Sequence, residues 1–285
     1  MSLIAMLLAL GAEHLFSLHR DGGTERGLAR RLLAAIPASL RDSAALPWLF
    51  TLIGAGAVAL FQTGIDGVIP RVIFAAIVLA LSLGPRNLAD DVQRLRAARS
   101  AGDGASVSRL TRSLQMGPEP DSNHRSLLGA LFIQSHERRF GLLFWFLALG
   151  PAGAVLYRLG SRLPALIEAP DSAAARAANT VHGLLAWLPV RATALLFGLA
   201  GSLDDAIDAW RRVHDEPHPD WQRFTWSLLA ETANAALDWE NAADGGPMIA
   251  SSLDATLAEV LRMELRATLI MLALTALFTA GAWVA

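Results

Sequence analysis

The chain has 285 residues, 53% of them hydrophobic and only 18% charged, with a formal net charge of −2. Its mean hydropathy is +0.39. Soluble domains carry about 25% charge, and here the apolar excess is gathered into long charge-free runs, which excludes an ordinary soluble enzyme and a disordered chain. A pI near 6.4 leaves no broad basic face for a nucleic-acid partner. The absence of cysteine excludes disulfides, Cys-ligated zinc, iron–sulfur clusters and thiol nucleophiles. Lysine is absent too, all 24 basic residues being Arg, which excludes a P-loop ATPase and Schiff-base chemistry.

A hydrocarbon core about 30 Å thick needs roughly 20 apolar residues as a helix. In chain order, the apolar segments lie near 2–18, 43–65, 68–85, 140–158, 183–203 and 267–285. The first has no cation before its apolar stretch and reads as a retained helix, not a removed signal peptide. Ser43 to Ile65, Phe140 to Tyr157 and Ala267 to Ala285 are free of charge, and Val68 to Pro85 holds only Arg71. The segments near 2–18 and 183–203 are spans or half-spans, because the one carries Glu13 and His14 and the other Pro189 and Arg191. Five Arg lie between Arg20 and Asp42 and nine between Arg86 and Arg139. The positive-inside rule puts both on the cytoplasmic side.

Segments 86–139 and 204–266 read as amphipathic cytoplasmic helices. Leu88, Val92 and Leu95 share one face, as do Val107, Leu110 and Leu114. Asp121 or Ser122, after the Gly-Pro-Glu-Pro breaker, is expected to cap a helix that continues through Leu127, Leu128, Leu131 and Phe132. Trp221, Phe224 and Leu228 mark a further helix, and Leu253, Leu257 and Val260 one that runs on toward the last span. The expected fold is an all-α integral membrane protein of about four to six transmembrane helices with amphipathic cytoplasmic helices, one membrane domain over 1–285.

Few polar residues sit where chemistry is expected. Glu13 either is wet at a helix end or points into a polar cavity toward an Arg. Pro189 removes an N–H and frees a carbonyl, breaking the helix beside Arg191. Arg191 then either binds an anionic group or snorkels to headgroups. The polar run Gln134 to Arg139, with Glu137 in it, stands at a membrane entrance and reads as solvated or headgroup-binding. Tyr157 and Arg158 read as an interfacial pair. His214 and His218 are four apart, but Pro217 and Pro219 on either side of His218 argue against a helical metal pair. Asp204, Asp205 and Asp208 suit a solvated N-terminal turn.

Three stretches carry a family likeness: Leu7 through Glu13-His14-Leu15-Phe16; Leu143-Phe144-Trp145 with Gly150-Pro151-Ala152-Gly153-Ala154 and Tyr157-Arg158; and Trp187-Leu188-Pro189-Val190-Arg191 through Trp210. In these the sequence resembles the AmpE family of inner-membrane proteins linked to β-lactamase regulation. It is similar more distantly to the CobD/CbiB cobinamide-phosphate synthases. The synthase pattern has E-N-x-x-D-G before the L-F-W segment and N-T-x-D-S-M after the Tyr-basic pair. Here those places read His136-Glu137-Arg138-Arg139-Phe140-Gly141 and Leu159-Gly160-Ser161-Arg162-Leu163-Pro164. The residues for Mg-ATP are therefore missing. The resemblance implies a regulatory, non-catalytic protein of the bacterial cytoplasmic membrane, connected with β-lactamase induction and peptidoglycan recycling. In that reading Glu13, Glu137, Arg158 and Arg191 form a pocket for a small anionic or amphiphilic ligand, no metal or cofactor is assigned, and the cytoplasmic helices report to a protein partner. The alternative it implies is a membrane-embedded ATP-dependent amide ligase of cobalamin biosynthesis.

Overall fold

The computed structural model describes residues 2–16, 41–84, 87–121, 124–167, 169, 171–242 and 253–281, with the side chains of 2, 13–16, 238–242 and 281 outside that description. The expectations on Glu13 and His14 side chains, on Ser122 and on all but Arg41 of the five Arg between Arg20 and Asp42 fall outside the described residues. Every regular element among the described residues is helical. The chain is an all-α protein with four apolar stretches long enough to cross a bilayer: the helices Ala45–Thr63, Ala173–Ala200 and Leu253–Ala280, and a stretch from Val68 that the described residues carry as a helix to Leu83. It is an integral membrane protein.

The backbone forms two compact units, one of residues 1–86, 141–186 and 275–285 and the other of 87–140 and 187–274. The first holds α1 (Ser2–Phe16), α2 (Ala45–Thr63) and α3 (Val68–Leu83), then α7 (Gly141–Leu149) and α8 (Pro151–Leu166). Its outward face is greasy. Leu49, Leu52, Ile53, Leu60 and Phe61 of α2 and Ile69, Ile73, Ile77 and Leu81 of α3 are all exposed, as lipid solvation requires. These helices lack side-chain caps: Ala44, Gly67 and Gly150 precede α2, α3 and α8 without a capping bond. α8 packs on α2, α3 and α7, and α1 on α3.

The second unit holds α4 (Leu88–Ser100), α5 (Gly104–Leu114), α6 (Leu127–Ser135), a π turn (His136–Phe140), α10 (Leu203–Asp215) and α11 (Trp221–Ala242). Here the caps are polar. Asn87, Asp103, Ser126 and Ser202 each accept a bond from a backbone N–H in the first turn that follows, which relieves orphan donors at those helix starts. The stripe of Leu88, Val92 and Leu95 is fully buried. α9 (Ala173–Ala200) and α12 (Leu253–Gly281) have residues in both units. α12 runs unbroken from the amphipathic segment into the final apolar one.

Three expectations change. The cap of α6 is Ser126, whose side chain accepts from Gly129 N–H at 2.9 Å, not Asp121. The Asp121 N–H instead donates to Ser227 Oγ at 2.8 Å, and that tether holds 116–121 as a non-helical approach. The apolar stretch 140–158 is not one helix. Gly150 adopts φ +66 and Pro151 opens α8, a stop and a start in adjacent residues. The third change is at Pro189: α9 continues helically through it for 28 residues.

Candidate functional site

α9 absorbs a proline because its lost bond is replaced. A residue at 189 with an N–H would donate to Leu185 O; Pro189 cannot. The indole Nε1 of Trp145 donates to that carbonyl at 2.9 Å. A side-chain donor from outside the helix thus fills the gap and the helix need not break.

The neighbouring π turn gathers polar side chains. A π turn holds one residue more than an α turn and recurs at functional sites, and here it carries His136, Glu137, Arg138 and Arg139 in succession. His136 is completely buried, with Nδ1 2.9 Å from Thr193 Oγ1. The Thr193 hydroxyl gives its single hydrogen to Pro189 O at 2.8 Å. Its oxygen can therefore only accept from His136, so Nδ1 carries a hydrogen. The His136 ring also lies 5.9 Å from that of Trp226, edge-on. Arg138 NH1 reaches Asp91 Oδ2 at 2.8 Å, and its Nε donates to Gln134 Oε1 at 3.1 Å. Arg139 NH1 lies 3.2 Å from Glu264 Oε1. Asp91 and Glu264 are both buried, so each buried carboxylate has an arginine, as burial of charge demands. One turn thereby binds α4, α9 and α12.

Arg191 lies two residues past the proline. Its NH1 donates back to Trp187 O at 2.8 Å. Its guanidinium carbon stands 4.1 Å from the centre of the Trp187 ring and 5.9 Å from that of Phe224. Both contacts fall in the cation–π range. Its partners are thus a carbonyl and two aromatic faces; among the described residues no carboxylate pairs with it.

Of the residues singled out from sequence, Glu137 and Arg191 belong to the unit of 87–140 and 187–274, but Glu137 is not among the partners of Arg191. Arg158 belongs to the other unit, where its guanidinium lies against Gly84. Glu13 falls within α1 with its side chain outside the description. Tyr157 is buried, 6.4 Å from the His182 ring. His218 Nε2 is 2.6 Å from Val213 O, and among the described residues no three His, Cys, Asp or Glu converge as a metal site. A shallow depression of about 340 Å³ is lined by Trp210, Arg211, His214 and Asp215.

Sequence reading missed Asp91 and Glu264. The signal was there: Asp91 is three residues past Leu88 and four before Leu95, on the apolar stripe itself. Glu264 stands four residues past Val260 and seven past Leu257, again on the buried face.

Comparison with known families matches residues 1–281 to the family described as Regulatory signalling modulator protein AmpE. The chain is also similar to the Cobalamin biosynthesis protein CobD of Chromobacterium violaceum, 32% identical over 152 residues, which cover 50% of this chain and 47% of that protein. A protein of the same name from Stutzerimonas stutzeri is 27% identical over 202 residues, 67% of this chain and 59% of that one. The matches thus span about half the length of these curated relatives. No solved structure matches.

Proposed function

The chain belongs to the AmpE family, and from that premise we propose that it is a regulatory protein of the bacterial cytoplasmic membrane, acting in β-lactamase induction and peptidoglycan-recycling signalling without catalysis. The observation that carries this is the family match over residues 1–281. The use of the buried charges supports it: Asp91 and Glu264 are engaged by Arg138 and Arg139 and tie helices together. Glu13, Glu137, Arg158 and Arg191 are the residues proposed to contact a small anionic or amphiphilic ligand. The helices of 86–139 and 204–266 are proposed to lie on the cytoplasmic side and report to a protein partner, as parts of one membrane domain.

The test is deletion of the gene in a host with inducible β-lactamase, followed by complementation. Altered induction that the wild-type gene restores is expected; unchanged induction overturns the proposal. A second reading, a membrane-embedded ATP-dependent amide ligase, is favoured by the similarity to the two proteins named for cobalamin biosynthesis. It predicts that the gene supports growth of a cobinamide-phosphate synthase mutant on cobyric acid. Such growth would replace the regulatory reading.

A further inference from the structure

Arg191 has five N–H donors, and one is spent on Trp187 O. Its Nε–NH2 edge, the edge that suits a bidentate oxyanion, is unused among the described residues. The surroundings of that edge define what fits. Trp187, Leu188 and Leu195 are 46%, 50% and 47% exposed. They stand four and three residues before Arg191 and four after it, so all share one helix face with it. This cation therefore emerges from an exposed apolar stripe.

Its depth is set by Phe224, in the first turn of α11. That turn is capped by Asp220, which accepts from Gln222 N at 2.8 Å, and its Trp221 is 42% exposed. A polar helix start flanked by exposed Trp belongs at the boundary between hydrocarbon and water, where tryptophan concentrates. Arg191 sits at that level. An anion whose body is apolar meets every feature: acyl chains on Leu188 and Leu195, a phosphate on the guanidinium edge, and Trp187 against the guanidinium at 4.1 Å.

We infer that Arg191 binds the phosphate of an anionic phospholipid seated on the Trp187, Leu188 and Leu195 face of α9. The inference rests on the proposal that Arg191 is a ligand-contacting residue, and it names the ligand class. A free phosphate ester and an acidic segment of a partner protein offer the same charge; neither uses the apolar stripe.

The experiment is native mass spectrometry of the full-length protein in detergent, titrated with phosphatidylglycerol, phosphatidylcholine or inorganic phosphate. Wild type should retain phosphatidylglycerol about tenfold more tightly than Arg191→Ala. Arg191→Lys should fall between, since it keeps the charge and loses the planar fork. Arg109→Ala, at an exposed site away from the stripe, should match wild type. Phosphatidylcholine, whose choline cation offsets the charge of the same phosphate, should bind wild type more weakly than phosphatidylglycerol does and lose less on Arg191→Ala. The inference is overturned if Arg191→Ala or, should that variant not fold, Arg191→Lys retains phosphatidylglycerol as wild type does. Displacement of the lipid by millimolar inorganic phosphate would also overturn it, by showing that the acyl chains contribute nothing. Lost lipid binding with unchanged β-lactamase induction would leave the lipid site standing and remove Arg191 from the regulatory reading.

Discussion

Pro189 shows what a single residue carries at the sequence level and what it does not. Its missing N–H announces a carbonyl without a partner four residues earlier, and the helix was therefore expected to break. What a chain read residue by residue does not contain is the donor that arrives from elsewhere. Trp145 is 40 positions from Leu185 in sequence, and the bond between them joins the Leu143-Phe144-Trp145 segment to the helix that bears Trp187 through Arg191. Trp145→Phe keeps most of the ring and deletes the donor, leaving the Leu185 carbonyl unsatisfied, which costs about 1–3 kcal/mol. Denaturant unfolding in detergent should show that loss. Pro189→Ala restores an N–H at the correct position, so the double variant Trp145→Phe, Pro189→Ala should regain part of it. Equal stability of Trp145→Phe and wild type would show that the bond contributes nothing.

At the scale of elements, the π turn decides where charge goes. The run Gln134 to Arg139 reads in sequence as solvated or headgroup-binding. In the structure Arg138 and Arg139 do neither; they turn inward to carboxylates on α4 and α12. Asp91 was legible as a misfit on the Leu88, Val92, Leu95 stripe, but its partner was not, because a π turn changes which residues share a face and no α-helical spacing predicts it. The Arg138 and Asp91 side chains are 16% and 11% exposed, so Arg138→Ala leaves a mostly buried carboxylate with only the longer contact to the exposed Arg94 at 3.8 Å, a loss of about 3 kcal/mol. Replacing both by Leu should be far milder than Arg138→Ala alone, as unfolding of the purified variants would show. If the single variant is no less stable than the double, Asp91 is not held by Arg138. On α5 the polar cap titrates. The hydrogen bonds from Ser106, side chain first and backbone second, hold the Asp103 carboxyl below its ordinary value of 3.8. A depressed folded value stabilises above the unfolded pKa and is lost as pH falls through the folded one. Amide protection at Ser106 should therefore be flat at neutral pH and decline below about pH 4, and Asp103→Asn should abolish that pH dependence.

For the whole molecule, the division between greasy and polar helices was legible because lipid and water impose opposite rules on the same backbone. α2 and α3 expose Leu, Ile and Phe along their length and end without side-chain caps, while α4, α5 and α10 begin on Asn, Asp and Ser caps with exposed acids and arginines beside them. Hydropathy finds the first class and apolar spacing, as in Leu88, Val92 and Leu95, finds the second; the caps emerge only in the structure. The number of crossings was not legible from hydropathy, since Phe140 to Tyr157 is as apolar as a span and yet is divided at Gly150 by a backbone feature of one residue. Sidedness can be tested where the path is simplest. α2 and α3 are joined by a short turn that holds Asp66, and Ser108 lies on α5 within the Arg-rich segment. Both residues are exposed, and the chain has no cysteine of its own. The arginine distribution predicts that Asp66→Cys reacts with a membrane-impermeant maleimide in intact spheroplasts and that Ser108→Cys reacts only after permeabilisation. Labelling of both from outside, or of Ser108→Cys alone, would invert or dismantle the topology on which the cytoplasmic partner depends.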